Sequence, residues 1–592
     1  MEKVYDFGFK PPPIPDSKPL PAFNRLSFKG EFSSFTDLVE LSSEEKAQRR
    51  KSRIISTARR AAIGESQIGD SEAQFSGDED LESHIVTGWK LAAIVTALCL
   101  AVFCMALDNT IIATAIPRIT DQFNALEDVA WYISAYLLTT CAFQLFFGRL
   151  YTFFNVKLVF LVAVGLFELG SLICGAAPTS NALIIGRALA GLGSAGLFSG
   201  ALIIMAHIVP LRQRPIYIGL AGSMYGIASV AGPLLGGVFT DHLSWRWCFY
   251  INLPIGAVTF IFVLLFLGNS TGASNATLTP LQKLRKLDIV GTIAFVPGII
   301  CLVLALQWGG LTYAWSSGPV VTCLVLFVLL MIVFIIDQWW QQDNGTVPPR
   351  VFLQKSVFGS AWWAFMFGGS FFILVYYVPI WFQAVWGISA TQSGIDSLPL
   401  VLACSVFCAL SGVGIYLFGY FTPWLFAASC VMAVGSGMIS TFWPLIPISK
   451  WIGYQILAGA GFGMGIQVPL IAVQVVLPIE DVPTGTALIM FSQMLGGAVS
   501  IAIAQNIFLA KLTEAIESII PGFSVAALYQ SGGATTIRNV LSGDLLIQVT
   551  AALSSALDHA FYVSTALAAL SICGAFFVEW KSVKGQFLIG VG

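Results

Sequence analysis

From residue 89 onward the apolar positions of this chain form no alternating pattern and no helical stripe. They run together in long blocks, separated by short polar breaks. A block of about 20 apolar residues can cross the hydrocarbon core of a bilayer as a helix, and a helix satisfies its own backbone hydrogen bonds there. The blocks fall near 89–117, 129–149, 157–177, 182–209, 215–239, 247–267 and 288–308, and then near 319–338, 356–386, 395–415, 420–440, 450–476, 484–508 and 559–580. The pattern therefore predicts an all-α integral membrane protein of fourteen spans, numbered 1 to 14 below. Residues 1–84 read differently. They are polar, with Pro11 to Pro13, a Ser/Glu-rich stretch and no signal-peptide core, and they predict a disordered tail.

Composition sharpens this picture. The 592 residues are 56% hydrophobic and only 10% charged, with mean hydropathy +0.81, where soluble domains carry about 25% charge. The tail 1–84 alone holds 15 of the 32 acidic and 12 of the 30 basic residues, so the spans are nearly uncharged. Net charge is −2 and no basic stripe lies outside the tail, so no nucleic-acid partner is expected. The eleven cysteines all sit in apolar segments without a Cys-x-x-Cys pair or a histidine cluster, so neither a metal site nor a disulfide framework is expected. No Gly-Lys dipeptide occurs, hence no phosphate-cradling loop for ATP. No nucleophile triad is visible. An enzyme and a bound cofactor are both unexpected, and energy for any transport should come from an ion gradient.

Orientation follows from lysine and arginine in the loops. With the N-terminus in the cytoplasm, the inner loops and C-tail hold eleven basic residues, among them Arg149, Arg214, Lys286, Arg350 and Lys584, and the outer side holds five. An even span number then puts both termini inside. The sequons at Asn269, Asn275 and Asn344 fall in inner loops and are expected to stay unglycosylated. The segment 509–558 is expected outside the cell as short amphipathic helices. Gly191-Leu-Gly-Ser-Ala-Gly196 in span 4 echoes Gly459-Ala-Gly-Phe-Gly463 in span 12, eight spans later. This suggests duplicated halves: a six-helix bundle over 88–267, a loop and inserted spans 7–8 over 268–345, a second bundle over 346–580, and a tail 581–592.

Span 5 contains Gly219, Gly222, Gly226, Gly232, Pro233, Gly236 and Gly237. At about 100° per residue its six glycines share one narrow arc, a face on which a neighbouring helix can approach and pivot. Pro233 removes a backbone hydrogen bond there. Ordinary small-residue packing is the plainer reading. Ionisable residues deep in the spans are few: Asp108, Glu168 and Arg187. Each costs at least about 2.5–3.5 kcal/mol at the bilayer centre unless it faces a cavity or a partner. Asp108 should lie roughly 13 Å and Arg187 roughly 8 Å from the same membrane face, within reach of a guanidinium arm. They form either a proton-coupling pair or a static ion pair. Glu168 is either a proton carrier or a quiet hydrogen-bonding group.

These segments resemble the major facilitator superfamily, specifically its fourteen-spanner drug:proton antiporters. The span 5 run is similar to the antiporter motif, and Trp245-Arg-Trp with Asn252-Leu-Pro-Ile-Gly256 to its span 6 partner. Leu107-Asp108-Asn-Thr110 is similar to the first-helix motif, and Gly186-Arg187 to the conserved-arginine motif. The resemblance covers 88 to about 580. It implies the major facilitator fold, arranged six plus two plus six, and a monomer that exchanges protons for a small molecule. Gly148 and Arg149 match the family's cytoplasmic gate, but Thr152 stands where an Asp is expected. The electrostatic latch should be weaker, or supplied by other residues. The Thr152 variant and the Phe167-Glu168 stretch are similar to fungal toxin-efflux members.

Trp381, Tyr377, Gln383 and Gln467 are the candidate cavity residues, since aromatic faces with scattered amides suit amphipathic polycyclic ligands. Three functions remain open. The first is proton-coupled efflux of drugs, toxins or secondary metabolites from the plasma membrane, with the vacuolar membrane as an alternative. The second is proton-coupled transport of siderophores or other nutrients. The third is a receptor on a transporter scaffold, which would signal without flux.

Overall fold

The structure is a computed structural model that describes residues 88–123, 125, 128–268, 282, 286–310, 313–519 and 543–584. The expected disordered tail 1–84, the sequons Asn269 and Asn275 and the centre of the segment 509–558 lie outside these residues. Among the described residues fourteen helices are long and apolar enough to cross a membrane. Spans 1 to 7 are Trp89–Ile112, Trp131–Phe153, Val156–Ala176, Ser180–Ile208, Arg214–His242, Trp247–Phe266 and Ile289–Trp308. Spans 8 to 14 are Gly318–Asn344, Lys355–Trp386, Thr391–Phe418, Thr422–Ile439, Ile448–Val476, Val482–Ile519 and Leu545–Ala575. Among the described residues the only strand-like pairings are isolated bridges, such as Tyr420 with Ser582.

The packing repeats at a spacing of eight spans. In the first half span 3 lies on 4, 2 on 4, and 1 on 5 and 6; in the second, 11 lies on 12, 10 on 12, and 9 on 13 and 14. The two helices that carry the glycine echo, spans 4 and 12, are the innermost, each 78% buried. Small residues there let the neighbours close in. Spans 7 and 8 pack on each other and reach spans 2 and 13, where the Phe295 ring meets Phe334 of span 8 at 4.9 Å and Phe491 of span 13 at 5.1 Å. Span 8 is otherwise bare, with 11% buried, so it is the most lipid-exposed of the fourteen. The two halves meet mainly where span 5 runs along span 10 and span 2 along span 13.

The expected outer segment 509–558 needs correction at both ends. Span 13 continues as one helix to Ile519, and the last helix begins at Asp544. Lys511 pairs with Glu514 at 2.8 Å on the exposed side of the extension, which suits a helix projecting past the apolar layer. Span 14 starts fourteen residues before the expected 559 because its polar residues are absorbed internally. Ser554 there accepts a hydrogen bond from the Trp381 indole at 3.1 Å.

Candidate functional site

Span 6 is where local sequence sets the geometry. Pro254 has no N–H to offer the carbonyl four residues back, and the helix slackens at Ile251, which keeps helical φ and ψ, between Trp247–Tyr250 and Asn252–Phe266. Asn252 beside it is fully buried in the first half. Its Nδ2 donates to Asp108 Oδ1 at 3.1 Å and to Ser171 Oγ of span 3 at 3.2 Å. The other carboxylate oxygen of Asp108 receives Arg187 Nη1 at 2.5 Å. Asp108 and Arg187 are thus brought together as the sequence expects, both with 0% exposure.

Arg187 is held on three sides. Its Nε donates to the Tyr132 carbonyl at 2.8 Å, and its guanidinium lies 4.5 Å above the Tyr136 ring. Tyr136 in turn donates to Ser194 at 2.8 Å. The glycines around Arg187 matter here: side chains at Gly186 and Gly191 would run into Cys174 and the Tyr136 carbonyl. One guanidinium nitrogen, Nη2, has no partner. A buried ion pair persists only with supporting hydrogen bonds, and here both carboxylate oxygens are occupied while the cation keeps one donor free. Glu168 sits one turn away on span 3, its carboxylate against Gly256.

Other members of the Trp-Arg-Trp stretch hold the site's roof. Arg246 donates to the carbonyls of Gly175 and Ala177 at 2.9 and 2.8 Å, closing the end of span 3. Trp245 is 4% exposed and donates to Gln122, whereas Trp247, 49% exposed, is the interfacial ring.

The glycine face of span 5 is shared between two partners. Gly222 and Gly226 lie against Cys408 and Ser405 of span 10, and Gly232 and Gly236 against Thr110 and Thr114 of span 1. Beside Pro233, Thr110 donates to the Ala228 carbonyl at 3.2 Å. Gly237 makes no contact of this kind; it looks into open space. Gly237 shares its wheel angle with Gly219, which lies against Cys408 and Gln467, so the difference lies in height along the span and not in direction.

At the far end of the halves, Gly148 leaves no room for a side chain against Ala487 of span 13. Thr152 meets Thr484 at 3.3 Å, a weak hydroxyl contact in place of a charge. The turn Gln342–Asn344 that ends span 8, together with the linker to span 9, carries the charged contacts instead. Arg149 donates to the carbonyls of Asp343 and Asn344 at 3.2 and 2.8 Å. Arg350 forks onto Asp481 at 2.5 and 3.0 Å and reaches Asp343 at 2.5 Å. These bonds hold the guanidinium above its ordinary pKa. Asp288, at the N-terminal end of span 7, is 3% exposed. It accepts from Gln338 (2.6 Å), Gln341 (2.7 Å), Gly291 N (2.6 Å), and Thr346 N and Oγ1 (2.8 and 2.9 Å). Burial pushes its carboxyl pKa up, and these donors outweigh burial, leaving it below the usual range. Turn and linker together are therefore a strap tied to span 2, to the start of span 7 and to the residue before span 13. Asn344, the third sequon, lies in it.

The four cavity candidates do not gather. Trp381 and Tyr377 are fully buried in the second half, Trp381 among Phe382, Trp386 and Phe442. Gln383 lies in the wider helical turn Phe382–Trp386 that ends span 9 and donates to Ser393 at 2.9 Å. Gln467 is at the seam of spans 5, 10 and 12 and donates to the Cys408 carbonyl and Ser411, both at 2.7 Å. Aromatic residues here fill the core, which satisfies their apolar area without a ligand. Asp558, a half-buried carboxyl whose Oδ1 has no partner, is an intramembrane charge that the late start expected for span 14 concealed.

Residues 98–501 match the family model described as Major Facilitator Superfamily. The chain belongs to the major facilitator superfamily. Its superfamily relatives include the MFS-type efflux pump MFS1 of Arthroderma benhamiae, 53% identical over 86% of this chain and 95% of that one. The efflux pump aflT of Aspergillus parasiticus is 51% identical, covering 85% and 98%. The efflux pump roqT of Penicillium rubens is 49% identical, covering 84% and 92%. Among solved structures the fold matches the human organic anion transporter MFSD10 with TM-score 0.52 at 14% identity, covering 82% and 99%. The proton:xylose symporter XylE matches with TM-score 0.52 at 13% identity, covering 83% and 97%. As a superfamily member this chain is a multi-pass membrane transporter of small-molecule substrates.

Proposed function

We propose that the chain exports small amphipathic organic molecules, such as drugs, toxins or secondary metabolites, in exchange for protons. The observation that carries this reading is the Asp108 carboxylate, sealed from solvent and shared between Arg187 and Asn252. The relatives named as efflux pumps support the direction of transport. As an anion Asp108 holds Arg187. A proton on Asp108 Oδ2 removes the charge that Arg187 pairs with, and the guanidinium falls back on the Tyr132 carbonyl and the Tyr136 ring. Span 1 then loosens from span 4. Because Thr110 and Thr114 lie on the glycine face of span 5, and span 5 also rests on span 10, the loosening reaches the seam between the halves.

Both termini lie in the cytoplasm in this reading, and the strap with Gly148, Arg149 and Thr152 closes the cytoplasmic side. The protein works as a monomer in the plasma membrane, the vacuolar membrane being the alternative. Purified protein in proteoliposomes tests the coupling. A panel of fungal polyketide toxins should drive proton movement in wild type, and Asp108→Asn should abolish it. Proton movement driven by siderophores and not by toxins would favour nutrient transport instead. Full proton coupling in Asp108→Asn would overturn the assignment.

A further inference from the structure

Tyr132 fastens span 2 to span 4 at two heights. In a helix the side chains lean toward the N-terminal end, while the carbonyls point the other way. Tyr132, in the first turn of the helix Val129–Phe153, therefore reaches in both directions along its span. Its hydroxyl meets Ser180 Oγ, on the first residue of the span 4 helix, at 2.8 Å. Its carbonyl accepts from Arg187 Nε at 2.8 Å. Ser180 and Arg187 are seven residues apart on span 4, two turns along one face or roughly 10 Å. The ring between the two contacts is fully buried, in one apolar cluster with Ile111, Leu183 and Trp245.

The contact far from Arg187 ends on a charge. Ser180 Oγ donates to Asp128 Oδ2, so the serine oxygen is left to accept the Tyr132 proton. Asp128 lies one turn before Tyr132, just ahead of the same helix, and grips the same serine. Tyr132 O–H, Ser180 O–H and the Asp128 carboxylate thus form a chain of donors with one direction. A hydrogen bond onto a charged acceptor is about twice as strong as a neutral one. An amide at 128 can itself donate to Ser180, and the direction of the chain is then no longer fixed.

We propose that Asp128 is a positioning residue for the buried ion pair: through Ser180 and Tyr132 it holds the carbonyl seat onto which Arg187 retreats when Asp108 takes up a proton. The proposal rests on the proton exchange assigned above to Asp108 and adds what sets the pH at which it happens. With Asp108 charged, Arg187 has the carboxylate, the Tyr132 carbonyl and the Tyr136 ring. With Asp108 neutral it has only the last two, so the neutral state depends on the seat more. A displaced seat therefore disfavours the neutral state, and more acid is needed to reach it. The titratable groups around Asp108 are Arg187 on span 4, Glu168 and Cys174 on span 3, Tyr136 on span 2, Cys248 on span 6 and Cys104 on span 1 itself. The substitutions below leave all of them in place.

Infrared difference spectra of the full chain in lipid nanodiscs, recorded across a pH titration, read carboxylic-acid bands without any substrate. Asp108→Asn removes the Asp108 band and so identifies it. Asp128→Asn and Ser180→Ala should each move the midpoint of that band about 0.5–1 unit toward lower pH, the size that one hydrogen bond supports. The double variant should move it no further than Asp128→Asn alone, because both changes break one chain. Asp128→Glu, which keeps the carboxylate, should return the midpoint most of the way to wild type. If Asp128→Asn does not accumulate, Tyr132→Phe, which deletes only the hydroxyl, should give the same shift. A midpoint that is unchanged or higher in these variants overturns the positioning role while leaving Asp108 as the coupling site. An unaltered spectrum in Asp108→Asn overturns the coupling reading itself.

Discussion

Each oxygen of Asp108 has its own donor, Arg187 on one side and Asn252 on the other, and neither donor is interchangeable with a similar residue. Arginine bonds the Tyr132 carbonyl through Nε while Nη1 faces Asp108 and the plane stacks on Tyr136. Lysine would keep the charge and lose that fork. Arg187→Lys is therefore expected to fold and to lose roughly 10- to 100-fold in initial efflux rate, matching about 1.5–3 kcal/mol for a charged hydrogen bond. A rate per protein molecule equal to wild type would mean that charge alone suffices. Asp108 and Arg187 were legible beforehand because a charge inside an apolar block is rare and must find a partner. Asn252 stood out only as a member of the span 6 motif, with no partner assigned. Ser171 and Tyr132 did not stand out at all, since neutral polar groups are cheap enough in a span to carry no signal, and Ser171 lies 81 residues from Asn252 in the chain.

Helices show the same division. Span number, the glycine density of span 5 and the echo between spans 4 and 12 follow from apolar length and small-residue patterning, whereas the innermost rank of those two spans comes from the fold. Hydropathy could not place the start of span 14, because polar residues there are satisfied by partners far away in sequence, as with Ser554, which accepts from the Trp381 indole at 3.1 Å. Nor could an arc on a helical wheel tell that Gly226 serves span 10 while Gly232 serves span 1. That split makes a contrast available. Gly226→Ala puts a methyl into Ser405 and should destabilise by about 1–3 kcal/mol. Gly237→Ala meets open space and should stay within about 0.5 kcal/mol of wild type. Thermal unfolding of the purified variants in detergent compares them, and equal midpoints would dissolve the shared-face description.

At the scale of the whole molecule the inserted pair contributes, in the proposed reading, to closing the cytoplasmic side. Thr152 in place of an Asp leaves the latch either weaker or supplied elsewhere, and the strap after span 8 brings charged contacts to span 2 and to Asp481 that the sequence pattern did not indicate. Asp288 is the strap's acid-sensitive point. Its folded pKa lies below the ordinary carboxylate value of about 3.9. Its contribution is therefore complete above that value and fades as pH falls through the lower folded one. Asp288→Asn should lower the unfolding midpoint at neutral pH, and the gap to wild type should narrow as the buffer is acidified below about pH 4. A gap that stays constant down the titration would mean that the carboxylate charge is irrelevant to the strap.

Span 8 leads straight into that strap, and nearly all of its surface faces lipid. Its helical part, Gly318–Gln341, has 24 residues, of which the apolar run 319–336 is 18, roughly 27 Å at 1.5 Å each, against a hydrocarbon layer of about 30 Å. The remaining turn, 337–341, is polar or aromatic, and its Gln338 and Gln341 donate to Asp288. In the proposed orientation those bonds form where acyl chains give way to headgroups, so an aqueous proton can reach the strap without crossing the apolar layer.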